Sequence, residues 1–268
     1  MGAIRSKILR LAVILAITYG AAVAALFVFQ DQMLFPAQNA SALQFDERFE
    51  QIDIVTGDGE TLKALFLAGN DKKPIVVRFH GNASAPVFER DTAIVLQEAG
   101  FGTLLTTYRG YGGSTGEPSA AGLKLDALAA VDWAAARSAK RPAIYAHSLG
   151  TGLAVHAATE REVGALVLEA PYDELVEVAA GLYPWAPVRT LFRHNIAPVD
   201  QISSLNLPVL MLHGNRDDII PIRHGQALAE AGGGNVEFVT LDGAAHNNLQ
   251  RYGSLARAVE FFTELPAE

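Results

Sequence analysis

The sequence predicts an α/β fold with a mainly parallel sheet covered by helices on both faces. Two observations predict it: short runs rich in apolar and β-branched residues recur along the chain, and helical patterns separate most of them. The length of 268 residues is within the range of one large α/β domain. We therefore expect a single domain.

Eight runs predict strands and five patterns predict helices. The predicted strands are residues 51–55, 62–67, 75–79, 103–107, 143–146, 165–168, 209–212 and 236–241. The predicted helices are residues 87–99, 121–136, 149–159, 223–230 and 253–265. Because the turn Gly57-Asp58-Gly59 joins the first two strands, these should form an antiparallel hairpin at one edge of the sheet.

The N-terminus carries a membrane signal. Arg5, Lys7 and Arg10 precede an uncharged run over residues 11–29, and the first acid of the chain is Asp31. As a helix this run is about 28 Å long, close to the ~30 Å hydrocarbon core of a bilayer. We expect residues 1–30 to be a signal anchor whose partner is the bilayer, through residues 11–29.

A cleaved signal peptide, leaving a secreted protein, is the alternative. Ala22-Val23-Ala24 offers small residues for cleavage, but residues 25–29 stay apolar beyond that site. Cations on the N-terminal flank favour a single-pass topology with the N-terminus in the cytoplasm. The rest of the chain would then lie on the non-cytoplasmic side, whether periplasmic, extracellular or lumenal.

Composition divides the remaining chain and excludes several classes. Residues 31–48 are predicted to be a connector and residues 49–268 the α/β domain, with a small cap insertion at 171–200 that contains four prolines. Because the first 30 residues hold three of the 21 cations and none of the 29 acids, the rest has a net charge of −11. This balance argues against nucleic-acid binding. The absence of cysteine excludes disulfides, Cys-based metal sites and a thiol nucleophile.

The residues after the predicted strands carry the chemistry, because ligands bind at the carboxyl ends of parallel strands. Ala146-His147-Ser148-Leu149-Gly150 joins a strand to a helix, with small residues two positions either side of Ser148. A nucleophilic serine on a sharp turn needs such neighbours. A serine that only caps the helix is the alternative for this pentapeptide taken alone.

Later loops supply the other members of a catalytic triad. Asp217 and His246 each follow a late strand, so the chain order is serine, acid, histidine. His246 would be the base and Asp217 would orient its imidazole, with Asp218 as the alternative acid and Glu169 as a more distant one. The backbone amides of Asn82 and Leu149 are the candidate oxyanion donors.

These motifs together resemble the α/β-hydrolase superfamily over residues 45–265, and more closely its single-span, membrane-anchored serine hydrolases near lysophospholipases, acyl thioesterases and serine aminopeptidase-like enzymes. The motifs that carry the resemblance are His80-Gly81-Asn82-Ala83, Tyr108-Arg109-Gly110-Tyr111, the Ser148 turn, Leu168-Glu169-Ala170-Pro171, His213-Gly214-Asn215-Arg216-Asp217 and Gly243-Ala244-Ala245-His246-Asn247. The sequence departs from the family pattern at Ala146, where glycine is usual, and at Thr107, where relatives often have aspartate. The resemblance implies an eight-stranded sheet and a small cap.

We expect a serine hydrolase that cleaves carboxylic ester or thioester bonds of lipid-like or acylated substrates, with no cofactor and no metal. A peptidase on the same fold and a catalytically silent anchored binding protein are the alternatives. Aromatic residues of the insertion are candidate substrate-binding residues: Tyr172, Tyr183, Trp185 and Phe192. Packing of the cap is the alternative role for this aromatic cluster.

Overall fold

Eight strands form one sheet in the computed structural model, which describes residues 2–36 and 47–265. The strands are β1 (Glu50–Val55), β2 (Thr61–Leu67), β3 (Ile75–Phe79), β4 (Gly102–Thr106), β5 (Ala143–His147), β6 (Ala165–Glu169), β7 (Val209–Gly214) and β8 (Val236–Leu241). Each predicted strand coincides with one of them to within two residues at either end. Their order is β1-β2-β4-β3-β5-β6-β7-β8.

The sheet is mostly parallel. Strand β2 pairs antiparallel with β1 and with β4, and every other neighbouring pair is parallel. The predicted edge hairpin is therefore confirmed. Strands β3, β4, β6 and β7 are buried along their whole length, because helices cover both faces. This is why these strands are mostly apolar in the sequence and do not alternate between apolar and polar residues.

The described part of the chain contains eight α-helices. They are α1 (Gly2–Leu34), α2 (Arg90–Glu98), α3 (Ala120–Ala135), α4 (Leu149–Glu160), α5 (Leu175–Leu182), α6 (Val188–Leu191), α7 (Ile222–Gly232) and α8 (Ser254–Glu264). Leu123 of α3 and Leu153 of α4 share a core with Val77 of β3. Val76, one residue earlier, points to the other face and packs with the group that contains Phe262 of α8.

Two regions differ from the sequence prediction. No helix is predicted in the cap insertion at residues 171–200, but the structure has α5 and α6 there, between the prolines of the insertion. Helix α1 continues to Leu34 and so includes the first residues of the predicted connector. The structure gives no description of residues 37–46, the central part of that connector. By length and composition alone, residues 4–34 of α1 are sufficient to cross a membrane.

A buried ion pair fixes the loop that follows β4. The Arg109 guanidinium donates to Asp126 of α3 at 2.8 Å and to Asp58 at 2.8 Å. Arg109 and Asp126 are 6% and 1% exposed. The same loop carries Tyr111, whose hydroxyl donates to the carbonyl of Asn82 at 3.0 Å. The ion pair therefore stabilises the loop whose Tyr111 holds Asn82, one of the predicted oxyanion donors.

Replacement of Asp126 should destabilise the fold strongly. Asp126→Ala leaves a buried guanidinium with one acidic partner, and we expect a loss of about 3–5 kcal/mol in the free energy of unfolding. Asp132→Ala, also on α3, is the matched control because its pair with Arg161 is solvent-exposed and is worth about 0–1 kcal/mol. Denaturant unfolding of the full chain measures both. Equal losses of unfolding free energy in the two variants would contradict a stabilising role for the buried pair of Arg109 and Asp126.

Candidate active site

Ser148 occupies a sharp turn between β5 and α4. Its backbone has φ 52° and ψ −120°, which residues other than glycine rarely adopt. The Ser148 amide donates to the carbonyl of Glu169 at 2.9 Å, and the Ser148 carbonyl accepts from the Thr151 hydroxyl at 2.7 Å. A Cβ on Gly150 would lie 2.6 Å from the carbonyl oxygen of Phe79, so position 150 requires glycine. The turn places the serine at the carboxyl edge of the sheet.

The Ser148 hydroxyl belongs to a hydrogen-bonded row with two side chains from later loops. Oγ of Ser148 is 2.9 Å from Nε2 of His246, and Nδ1 of His246 is 2.7 Å from Oδ2 of Asp217. All three residues are at most 8% exposed. Asp217 follows β7 and His246 follows β8, so adjacent parallel strands bring distant positions together. The three residues predicted from the sequence therefore meet in space.

The other acids considered for this position have different surroundings. The Asp218 side chain is exposed to solvent. The Glu169 carboxylate is buried and accepts from Arg78 at 3.2 Å and from the Tyr145 hydroxyl at 2.6 Å. Neither replaces Asp217 beside the imidazole of His246.

Several donors hold Asp217 as an anion. Oδ1 accepts the backbone amides of Ile219 at 3.0 Å and Ile220 at 2.8 Å, and Oδ2 lies 3.4 Å from Nε2 of His213. Burial raises the pKa of Asp217, but hydrogen bonds from His213 and His246 outweigh burial and hold that pKa below its ordinary value. An ionised Asp217 accepts a hydrogen bond from the protonated Nδ1 of His246. Nε2 of His246 is then unprotonated and accepts the hydrogen bond of the Ser148 hydroxyl.

His147 positions the backbone of the loop that contains His246. Its Nε2 donates to the carbonyl oxygen of His246 at 3.0 Å, and the two rings lie 5.0 Å apart. Burial, with a further contribution from the neighbouring His246, lowers the pKa of His147. The neutral ring therefore supports His246 without placing a second charge beside it. The sequence indicated nothing of this role beyond the adjacency of His147 to Ser148.

Asn82 and Leu149 border the same cavity as Ser148. Leu149 is the first residue of α4, so its amide has no acceptor within the helix. Asn82 lies in the loop after β3, where its carbonyl accepts from Tyr111 and its side-chain amide donates to the carbonyl of Leu34 at 3.3 Å. The two predicted oxyanion donors are thus both fixed near the serine, one of them by a contact with α1.

An apolar cavity of about 200 Å³ opens at Ser148. Its walls are formed by helices α1, α5 and α6 and by the loop after Asp217. Among the described residues, no charged side chain lines the cavity. Its polar lining residues are Gln30, Asn82, Ser148 and Tyr183. An uncharged cavity of this kind accommodates a hydrocarbon chain better than a charged group, because burial of an unpaired charge is costly.

The four predicted aromatic residues have two kinds of surroundings. Tyr183 and Phe192 line the cavity. Tyr172 does not line it: it is fully buried, and its hydroxyl donates to the carbonyl of Leu149 at 3.3 Å. Trp185 lies outside the cavity, half exposed, with its ring 6.2 Å from that of Tyr19. Tyr172 and Trp185 therefore make packing contacts outside the cavity lining, and their predicted substrate contacts stay a prediction.

The sequence did not indicate that α1 lines the cavity. The residues that do so recur at helical spacing on one side of α1: Val23, Leu26, Phe27, Gln30, Met33 and Leu34. This periodicity is hidden because the other sides of the helix are equally apolar. Gln30 was the one available signal, since it is a polar residue at the end of a long apolar run.

Comparison with known proteins gives a consistent result. A family model described as alpha/beta hydrolase fold matches residues 74–204. An uncharacterized protein of Mycobacterium tuberculosis is 38% identical over 178 residues, which are 65% of this chain and 63% of that protein. The lysophosphatidylserine lipase ABHD12 of Xenopus tropicalis is 32% identical over 177 residues, which are 58% of this chain and 46% of that protein. The match thus spans less than two thirds of each relative.

Solved structures share the architecture. An esterase from Pyrococcus furiosus superposes with a TM-score of 0.69 at 20% identity, over 84% of this chain and 95% of that one. At this identity the likeness concerns the fold alone. Together, the family-model match, the strand order and the helix-covered sheet show that the chain has the α/β-hydrolase fold.

Proposed function

We propose that the chain is a serine hydrolase that cleaves carboxylic ester or thioester bonds of lipid-like or acylated substrates through an acyl-enzyme. The observation that carries the proposal is the unbroken hydrogen-bonded row of Ser148, His246 and Asp217 at an uncharged cavity. A hydrolase activity agrees with the family, and the lipase relative gives further support for a lipid ester as the substrate.

The proposed first half-reaction acylates Ser148. Nε2 of His246 takes the hydroxyl proton while Oγ attacks the carbonyl carbon, and the resulting oxyanion accepts hydrogen bonds from the amides of Asn82 and Leu149. Asp217 stabilises the imidazolium that forms, because its carboxylate is ionised and fixed. The tetrahedral adduct then collapses, the bond to the alcohol or thiol breaks, and His246 returns the proton to the leaving group.

The second half-reaction releases the acid. His246 takes a proton from water as the water oxygen attacks the acyl carbonyl, and the same two amides hold the second oxyanion. Collapse of this adduct breaks the bond to Oγ, and His246 returns the proton to Ser148. The products are a carboxylic acid and the regenerated serine, so no cofactor enters the balance.

The chemistry of the cavity supports an acyl substrate over a peptide. Recognition of a free peptide α-amine would require an anionic side chain near Ser148, and the described residues that line the cavity include none. The triad carboxylate, Asp217, already accepts hydrogen bonds from His246 and from two backbone amides. A chain of methylene groups needs only apolar contacts, which the cavity walls provide.

We further propose that α1 is an uncleaved anchor that leaves the catalytic domain on the non-cytoplasmic side of the membrane. Its flank carries Arg5, Lys7 and Arg10, which favour retention of that end in the cytoplasm. Residues of the last turns of α1 hydrogen-bond to the hydrolase domain, as Gln30 does with Leu191 and Arg193. Removal of the helix would expose this contact surface, which favours retention over cleavage.

Substitution of the serine tests the enzyme class. We expect the purified full chain to react with a fluorophosphonate probe and Ser148→Ala to lose both labelling and ester hydrolysis. Ser203→Ala is the matched control, because Ser203 is exposed and distant in sequence from the site residues. A folded wild-type chain without labelling would instead support the silent binding protein. Activity on peptides alone would contradict the ester assignment.

Paired acid variants test the role of Asp217. Asp217→Asn removes the anion that orients and stabilises the imidazole, so we expect kcat to fall by about 10³–10⁴-fold. Asp218→Asn changes the exposed neighbouring acid and should stay within about twofold of wild type. Steady-state hydrolysis of a soluble ester measures both rates. A larger loss in Asp218→Asn would reassign the acid.

Single-cysteine labelling tests the topology, since the natural chain contains no cysteine. In sealed vesicles with the non-cytoplasmic face outward, a membrane-impermeant maleimide should label Ser203→Cys directly. It should label Ser6→Cys only after permeabilisation. The reverse pattern would contradict the proposed orientation. A mature chain that lacks position 6 by mass would demonstrate cleavage of the N-terminal segment.

A further inference from the structure

One wall of the cavity belongs to the helix that we propose as the membrane anchor. Leu26 and Phe27 of α1 line the cavity together with Leu182 and Tyr183 of the cap. Ser148 and Asn82 border the same space. The anchor therefore contributes to the site itself and does more than tether it to the bilayer.

Polar contacts fix the end of α1 to the cap. Gln30 is 9% exposed, and its side chain donates to the carbonyl of Leu191 at 3.3 Å and accepts from the amide of Arg193 at 2.9 Å. Oδ1 of Asp31 accepts from the Arg193 guanidinium at 2.8 Å and lies 2.7 Å from Nε2 of His194. These bonds fix the rotation of α1 about its own axis and its position along that axis relative to the cavity.

The contact between α1 and the cap extends along the apolar run. Tyr19 donates to the carbonyl of Trp185 at 3.1 Å, and the two rings meet edge to face. From Asp31, the first acid, back to Tyr19 is roughly 18 Å of helix at 1.5 Å per residue. From Arg10 to Asp31 is roughly 32 Å, about the thickness of the hydrocarbon core.

These distances bear on where Trp185, in the cap, lies relative to the hydrocarbon region of the bilayer. If Arg10 and Asp31 mark the two surfaces of the bilayer, Trp185 beside Tyr19 lies within the hydrocarbon region. The side chains of Leu182 and Trp185 are each 50% exposed, which suits contact with lipid. The cavity between α1 and the cap is then bordered by lipid on its outer side and by Ser148 on its inner side.

We propose that α1 is part of the acyl-binding site and that the substrate is a bilayer lipid whose acyl chain enters between α1 and the cap directly from the leaflet. This inference rests on the proposed serine hydrolase activity and specifies its substrate class. The acyl chain packs against Leu26 and Phe27 while its carbonyl carbon reaches Ser148. The headgroup and the leaving group stay toward the aqueous side, where Asp31 and Arg193 lie.

Paired variants of α1 test the wall of the cavity. Leu26→Trp narrows the cavity, whereas Val28→Trp adds the same side chain on the opposite side of the helix, where Val28 is 63% exposed. The full chain in lipid vesicles is assayed with 4-nitrophenyl dodecanoate and 4-nitrophenyl acetate. We expect Leu26→Trp to lower the dodecanoate-to-acetate ratio of kcat/KM at least tenfold, and Val28→Trp to change it less than twofold. Equal ratios in both variants would overturn the proposal.

A photoreactive probe tests the same wall without a variant. A dodecyl fluorophosphonate with a diazirine in the alkyl chain reacts with Ser148, which forms the Oγ–P bond and releases fluoride, and the adduct is then irradiated. Cross-links to residues 23–34 of α1 are expected, and cross-links confined to other segments would overturn the proposal. Absence of phosphonate labelling and of acetate hydrolysis in the wild-type chain would refute the proposed hydrolase itself. The two failures are therefore distinguishable.

Tryptophan quenching tests contact of the cap with lipid. The chain has two tryptophans, and Trp133 is 8% exposed and packs against Phe66 in the hydrolase domain. In vesicles of phosphatidylcholine with brominated acyl chains, we expect quenching of an emission component that Trp185→Phe removes. Unquenched emission from Trp185 would place the cap outside the leaflet and overturn access from the bilayer.

Discussion

The strained turn at Ser148 is the constraint on which the arrangement of the site depends. A serine at φ 52° carries a cost of about 1–3 kcal/mol, which neighbouring contacts must offset. Two contacts on the turn do so: the Ser148 amide donates to Glu169, and Thr151 donates to the Ser148 carbonyl. A Cβ at Gly150 would collide with the carbonyl of Phe79, so α4 could not begin directly behind the serine. The same turn leaves the amide of Leu149, the first residue of α4, without an acceptor inside the helix.

A buried charge network supports that turn from inside the sheet. The Arg78 guanidinium donates to Glu89 at 3.0 Å and to Glu169 at 3.2 Å, and it stacks on the ring of Tyr145 at 4.1 Å. The strand register places Arg78 beside Tyr145, and Glu169 beside His147. Loss of one partner of such a network leaves a buried charge without compensation. The network therefore fixes the backbone of Glu169, whose carbonyl receives the Ser148 amide.

The sequence predicted those parts of the fold that depend on local pattern. All eight strands were identifiable because each is a short run rich in apolar and β-branched residues, and Ser148, Asp217 and His246 were identifiable because each follows such a run. Helices α5 and α6 were not predicted, since the prolines of the insertion indicate irregular structure and the helices are short segments between them. Tyr172 was also predicted to contact substrate from its aromatic character alone, whereas its burial and its contact with α4 depend on tertiary packing.

The role of α1 at the cavity depends on tertiary contacts that local pattern does not encode. A uniformly apolar helix satisfies the requirement of lipid on every face, so its sequence gives no indication of the side that packs on protein. What selects one side is the polar end of the helix: Gln30 is buried against the cap, and Asp31 lies beside Arg193 and His194. Once these bonds set the rotation, the helical period aligns Val23, Leu26 and Phe27 with the cavity. The polar pair Gln30 and Asp31 at the end of an apolar run thus determines which face of the proposed anchor meets the proposed substrate.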